Sequence, residues 1–127
     1  MINYKFINMN SYRDLIVWQK SMNLVTLLYQ LTKQFPDDEK FGLTSQIKRS
    51  SVSIPSNIAE GYGRSSSKEY VRFHEIARGS LYEFQTQLEI AANLKFIDIF
   101  VTKEIFELGI EVEKMLNSLI KKLKSTD

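Results

Sequence analysis

Apolar positions early in the chain recur at helical spacing. Leu15, Trp18, Met22, Val25, Tyr29 and Thr32 step by three and four, which predicts a first helix over residues 12–33. Leu24, Leu27, Leu28 and Leu31 lie beside that stripe and widen it beyond a two-stranded seam, so this helix is expected to bury against more than one neighbour. Phe35-Pro36 ends it, because proline pushes the preceding residue out of the helical region. Asp37, Asp38 and Glu39 then place negative charge where a following helix would start.

A second run carries Leu43, Ile47, Ile54 and Ile58 on one stripe and Gln46, Arg49, Ser50, Ser53, Asn57 and Glu60 on another. Pro55 inside it removes one backbone donor, so the second helix is expected to be kinked rather than broken. Gly61-Tyr62-Gly63 supplies a stop, and Ser66 with Glu69 reads as a capping box that opens a third helix. That helix, from about Ser67 to Leu94, carries Tyr70, His74, Ala77, Leu81, Phe84, Leu88 and Ala91 in heptad-like steps. Phe96 to Val101 reads as a packed loop, since an isolated strand would have no partner. Thr102 is expected to cap a fourth helix with the core face Ile105, Leu108, Val112, Met115, Leu119 and Leu123, followed by the basic tail Lys121, Lys122 and Lys124. Four helices with short connections predict an all-α fold, an antiparallel up-and-down four-helix bundle over residues 11–127, after a flexible N-terminal segment at 1–10.

Composition narrows the picture. The 127 residues hold two prolines, five glycines and no cysteine, which disfavours a turn-rich β-fold and excludes both disulfides and thiolate metal sites. The first ten residues lack the continuous apolar stretch of a secretory signal, and no apolar run approaches the ~20 residues of a membrane span. A cytoplasmic, membrane-free protein is the expectation. The net charge of +2 is unevenly spread. Residues 41–80 carry six basic residues, Lys48, Arg49, Arg64, Lys68, Arg72 and Arg78, against three acidic ones, whereas 81–113 carry two basic against seven acidic. Such polarity suits an anionic partner, or oppositely charged faces meeting between subunits, as well as simple solvated helix faces.

Candidate chemistry is sparse. The one histidine, His74, has Val71 three residues before it, so the Glu-x-x-His pairs of di-metal bundles cannot form, and no metal or cofactor is expected. Only a Ser or Thr paired with His74 could make a nucleophile, and no motif supports one. Gly61-x-Gly63 lacks the lysine and preceding strand of a phosphate-cradling loop. The reading is therefore not an enzyme.

A longer pattern carries more. Gly42-Leu43, Gln46-Ile47-Lys48-Arg49, the string Ser53-Ile54-Pro55-Ser56-Asn57-Ile58-Ala59-Glu60-Gly61, then Gly63-Arg64, Glu69-Tyr70, Arg72-Phe73 and Ala77-Arg78-Gly79-Ser80 stand in order along the chain. Together they resemble the bacterial four-helix bundle family that includes the 23S rRNA intervening sequence proteins and the accessory variability proteins of diversity-generating retroelements. That resemblance implies a barrel-shaped homopentamer. For the retroelement members it also implies a nucleic-acid-binding scaffold working beside a reverse transcriptase, which makes a reverse transcriptase or another protein a candidate partner here.

The residues support that implication at two points: the first helix has surplus apolar surface, and small residues lie where helices must approach closely. Asn57, Glu60, Gly61, Arg64 and Arg72 form a candidate polar network, either a junction between subunits or a brace between the second and third helices. The leading expectation is a homo-oligomeric scaffold whose Lys48, Arg49, Arg64, Lys68, Arg72 and Arg78 contact RNA or DNA phosphates. A protein-interaction bundle and an RNA-processing enzyme using His74 and Glu75 are the alternatives.

Overall fold

The computed structural model describes residues 11–125; the expected flexible segment 1–10 lies outside them. Four α-helices account for most of these residues: α1 (Ile16–Leu31), α2 (Leu43–Tyr62), α3 (Ser67–Asn93) and α4 (Ile99–Lys124). Each packs on the next, and α1 packs on α4 to close the bundle around Leu24, Leu28, Ile47, Ile54, Ile58, Leu81, Phe84, Leu88, Ile105, Val112 and Leu116. No strand occurs among the described residues.

Local chemistry shifts several boundaries from the expected ones. Ser11 and Asp14 form a reciprocal capping box around a 3-10 turn at Tyr12–Asp14, and Leu15 is extended, so α1 starts at Ile16 rather than at 12. The acidic run Asp37–Glu39 forms its own 3-10 turn instead of the first turn of α2. Glu39 still serves that helix, because its Oε1 accepts from the Leu43 amide at 3.0 Å where Gly42 has no side chain to do so. Pro55 lies buried within α2, which runs unbroken through it. Ser66 Oγ accepts from the Glu69 amide at the start of α3, as its position predicts.

The α3–α4 connection corrects the expected cap. Asp98, not Thr102, caps α4: its Oδ1 accepts from the Phe100 amide at 2.7 Å, while the Thr102 hydroxyl is spent on the Asp98 carbonyl one turn back. The helix therefore begins at Ile99, inside the segment expected to be loop. α3 ends in a Schellman arrangement, with Lys95 and Phe96 amides donating to the Ala92 and Ala91 carbonyls. Lys95 takes the left-handed conformation there, with φ 62°, and Phe96 folds back onto Phe35 with ring centroids 5.7 Å apart.

Which face each helix buries also differs for the outer pair. α2 buries Ile47, Ile54 and Ile58 of its predicted stripe, with Leu43 half-buried and Ser50 of the polar stripe buried as well, and α3 buries its predicted stripe with Val71 rather than Tyr70 at the start. α1 buries Val17, Trp18, Ser21, Leu24, Leu28 and Leu31, which leaves Met22 and Tyr29 exposed. α4 buries Gly109, Leu116 and Ile120 beside Ile105 and Val112, leaving Leu108, Met115, Leu119 and Leu123 half-buried. Both helices carry two adjacent apolar stripes, and contact with two neighbours at once selects the line between them.

Small residues set the α2–α3 seam. Ser50 Oγ donates to Gln87 Oε1 at 2.7 Å, Ser53 and Ser80 hydroxyls pair at 2.9 Å, and Gly61 faces Phe73. A Cβ on Gly61 would lie 2.8 Å from the Phe73 Cβ and 3.3 Å from the Tyr70 carbonyl oxygen, atoms that move only if the helices part. His74 is fully buried beside this crossing, with Nδ1 3.2 Å from the Tyr70 carbonyl oxygen; Nε2 has no protein partner. Burial pushes its pKa below the ordinary 6.5, and the contact with the Tyr70 carbonyl opposes that shift only in part.

Two stability predictions follow from this seam. Gly61→Ala lowers stability by about 1–3 kcal/mol through forced separation of the helices, whereas Gly79→Ala, where nothing lies within 4 Å, raises it by up to about 1 kcal/mol through helix propensity. Urea midpoints at one fixed protein concentration check the pair, and shifts of the same sign would show slack at the crossing. Because the unfolded chain binds a proton at His74 more readily than the folded one, stability is full above the unfolded pKa of about 6.5 and falls as pH drops below it toward the lower folded pKa. Urea titrations from pH 7.5 to about 5 should show this loss, and His74→Leu should flatten it; a parent slope unchanged in that variant would assign the pH dependence elsewhere.

Candidate nucleic-acid interface

The helix stripes that build the seam also decide where the polar motif residues go. Asn57 donates from Nδ2 to the Ser53 carbonyl at 2.8 Å and to Ser53 Oγ at 2.9 Å, which joins it to the Ser53–Ser80 pair. Glu60 and Arg64 form an exposed ion pair at 3.1 Å, one turn apart on α2 and the residues after it, and the Arg64 guanidinium lies 4.5 Å from the centre of the Phe73 ring. Gly61 sits between these two groups at a close approach of α2 to α3. Arg72 joins neither: it is exposed and makes no ion pair with Glu69. The five residues thus divide into a seam brace, an exposed ion pair and a separate cation.

The six basic residues divide as well. In an up-and-down bundle α2 starts at the end where α1 finishes, so Lys48 and Arg49 lie near that end. Arg64 lies at the opposite end, followed by Lys68, Arg72 and Arg78 along the first turns of α3. Lys48 lies over the Tyr29 ring at 4.8 Å, whereas Arg49 is exposed without an ion-pair partner. Arg78 bridges to α4 by donating to Asn117 Oδ1 at 2.7 Å and approaches Glu75 at 3.9 Å.

At the Arg64 end, α4 brings a cation that the linear pattern does not connect with the others. Lys68, Arg72 and Lys124, with Glu69, Val71 and Glu75, line an open cleft of about 550 Å³. Lys124 Nζ lies 3.4 Å from Glu75 Oε2, while Lys68 and Arg72 remain exposed and unpaired. Lys121 and Lys122 occupy the same last turn of α4. The signal for this cluster was the basic end of the fourth helix, legible only once that helix is placed antiparallel to the third. The cluster can attract phosphates as point charges; it offers no aromatic platform for stacking bases.

His74 and Glu75 are not brought together. Adjacent residues point about 100° apart around a helix, so His74 faces the core while Glu75 faces Arg78 and Lys124 on the surface. Across the α3–α4 surface, Tyr82 donates to Glu113 Oε2 at 2.8 Å, and that bond raises the phenol pKa above its ordinary value. Among the described residues no group of three His, Cys, Asp or Glu side chains could hold a metal ion, and no helix is long and apolar enough to cross a membrane.

A crystal structure of a protein with unknown function from the S23 ribosomal protein family of Bacteroides thetaiotaomicron VPI-5482 superposes with a TM-score of 0.78. The two share 28% sequence identity, and the alignment covers 84% of this chain and 99% of that one. Comparison with curated proteins returns no match. The family described as 23S rRNA-intervening sequence protein matches residues 13–118, from the turn before α1 to the last third of α4. A match of that extent, over the same helices and the same Asn57-to-Arg64 string, places the chain in the 23S rRNA-intervening sequence protein family.

Proposed function

We propose that the chain is a non-enzymatic homo-oligomeric scaffold, pentameric as the family resemblance implies, that binds RNA or DNA through phosphate contacts. The observation that carries this reading is the set of exposed cations without ion-pair partners: Arg49 on α2, and Lys68 and Arg72 beside Lys124 at the α3–α4 cleft. Arg64 has its charge engaged by Glu60 one turn away. Here Glu69 lies three residues before Arg72 and does not pair with it, so the positive charge remains free to meet an external anion. A few cations on one subunit bind a polyanion weakly, and repetition around an oligomer multiplies the contacts. The burial of His74, away from Glu75, favours this reading over RNA processing.

Fluorescence anisotropy with a labelled structured RNA and a labelled duplex DNA tests it. Affinity should fall log-linearly with salt, by on the order of 10³-fold or more between about 50 and 200 mM if roughly 6 to 10 phosphates are neutralised. Lys68→Glu with Arg72→Glu should weaken binding about tenfold or more at low salt and flatten the salt slope, with little difference between sequences. Absence of binding to either ligand at low salt sinks the reading. So does a double variant that binds as tightly as the parent while keeping its oligomeric mass, and a protein-interaction role then takes its place.

A further inference from the structure

Lys68, Arg72 and Glu75 stand at i, i+4 and i+7 on α3, a spacing that puts all three on one face of the helix. That face meets the last turn of α4 across the open cleft of about 550 Å³. Three cations and two carboxylates line it: Lys68, Arg72 and Lys124 against Glu69 and Glu75. The two carboxylates have different surroundings. Glu69 lies in the first turn of α3, where negative charge suits the helix dipole, and it forms no ion pair. Glu75 Oε2 is shared between two cations: Lys124 Nζ lies 3.4 Å away across the cleft, and Arg78 Nη2 lies 3.9 Å away on the next turn of α3.

A carboxylate oxygen and a phosphate oxygen make the same kind of charge-assisted contact with an ammonium or guanidinium group. For Lys124 and Arg78, Glu75 therefore fills the role that a nucleic-acid phosphate would fill. Arg78 is held twice, since its Nη1 also donates to Asn117 Oδ1 at 2.7 Å, and it braces α3 to α4 rather than facing a ligand. Among the described residues Lys124 is paired with Glu75 only, and its side chain is 60% exposed on a long flexible stem. Released from Glu75, it would reach a ligand in the cleft. Lys68 and Arg72 have no internal anion of this kind. The cleft thus holds two free cations and one that is already occupied.

We infer that Glu75 is an internal competitor for phosphate: it keeps Lys124 out of the ligand contacts, leaves Lys68 and Arg72 to make them, and so limits how tightly the cleft grips a polyanion. An arriving phosphate reaches Lys124 only by displacing Glu75 or by lying against a like charge. An exposed ion pair is weak by itself, so the restraint within one subunit is small. Repetition of the cleft along one polyanion multiplies the restraint as it multiplies the contacts. The consequence is a hold on nucleic acid that stays loose and readily exchanged. The inference rests on the phosphate-binding part of the proposed function and names the residue that restrains it.

A double-mutant cycle on the full chain tests this, read by fluorescence anisotropy of a labelled structured RNA. Glu75→Gln keeps the size of the side chain and removes its charge. It should tighten binding about tenfold at roughly 100 mM salt and steepen the salt slope, because Lys124 joins the phosphate contacts. Lys124→Met should weaken the parent only about twofold, against about tenfold for Lys68→Met, yet cancel the gain when added to Glu75→Gln. Glu111→Gln, which frees Lys20 on the α1–α4 side, controls for loss of a negative charge elsewhere and should gain far less than Glu75→Gln. Light-scattering mass and helical circular dichroism should match the parent in every variant. A Glu75→Gln variant that binds no tighter than Glu111→Gln overturns the inference and leaves the proposed function standing. So does a gain that survives Lys124→Met, or a Lys124→Met parent that loses as much affinity as Lys68→Met. If Glu75→Gln alters mass or helicity, that last comparison decides alone. Failure of both the parent and Glu75→Gln to bind at low salt sinks the proposed function, and the inference with it.

Discussion

The close approach of α2 and α3 is the constraint around which the rest of the bundle is arranged. Gly61 against Phe73, Ser53 against Ser80 and Ser50 against Gln87 occur at successive levels of one antiparallel seam, and each pair puts a small residue on α2. Larger side chains on that line would hold the backbones apart and open space around Ile54, Ile58, Ala77 and Phe84, which fill the core behind it. The hydroxyls that make the seam narrow are also satisfied within it, so narrowness does not leave a row of buried unpaired groups. His74 is the exception, with one ring nitrogen unpartnered beside Gly61, and it makes the seam sensitive to protonation.

How much of this was legible in the sequence depends on how many neighbours a helix has to satisfy. α2 and α3 carry one clear apolar stripe each; α3 buries it almost position for position, and α2 buries Ile47, Ile54 and Ile58 of it together with the small residues Ser50, Ser51 and Gly61 beside them. α1 carries two stripes side by side, and spacing alone gives no reason to prefer Leu24, Leu28 and Leu31 over Met22, Val25 and Tyr29. The choice is made by α2 and α4 together, a tertiary effect. Thr102 misled for a different reason. Thr and Asp are both good caps, and the decision between them lies in which side chain reaches a free amide once Ile97 is buried and the chain has turned at Lys95.

The candidate site was legible as residue types but not as groups. Six basic residues close in sequence are spread by the antiparallel turn over both ends of the bundle, and the cleft at one end draws in Lys124 from the far end of the chain. Proximity along a chain is a poor guide to proximity on a bundle once a segment spans more than one helix. Glu60 and Arg64, one helical turn apart, do stay together. Arg72, eight residues further on and across a turn, does not. The charge asymmetry along the chain survives folding in a different form, with Lys33 and Lys48 in a depression between α1 and α2, and Glu89 and Glu107 against Lys103 in one between α3 and α4.

The short passage from Tyr62 to Ser67 between α2 and α3 bears on how the chain reaches this structure. Loop closure costs grow with length, and four residues is among the shortest connections a helical hairpin uses. The most extensive interface of the bundle is therefore also the one with the lowest entropic barrier to forming, which favours an α2–α3 hairpin as the nucleus onto which α1 and α4 condense. During synthesis α1 leaves the ribosome before that hairpin is complete, with its Leu-rich stripe still uncovered. The pattern that carries the family resemblance, from Gly42 to Ser80, lies across this hairpin, so the same residues that set the finished seam also bring its two helices together first.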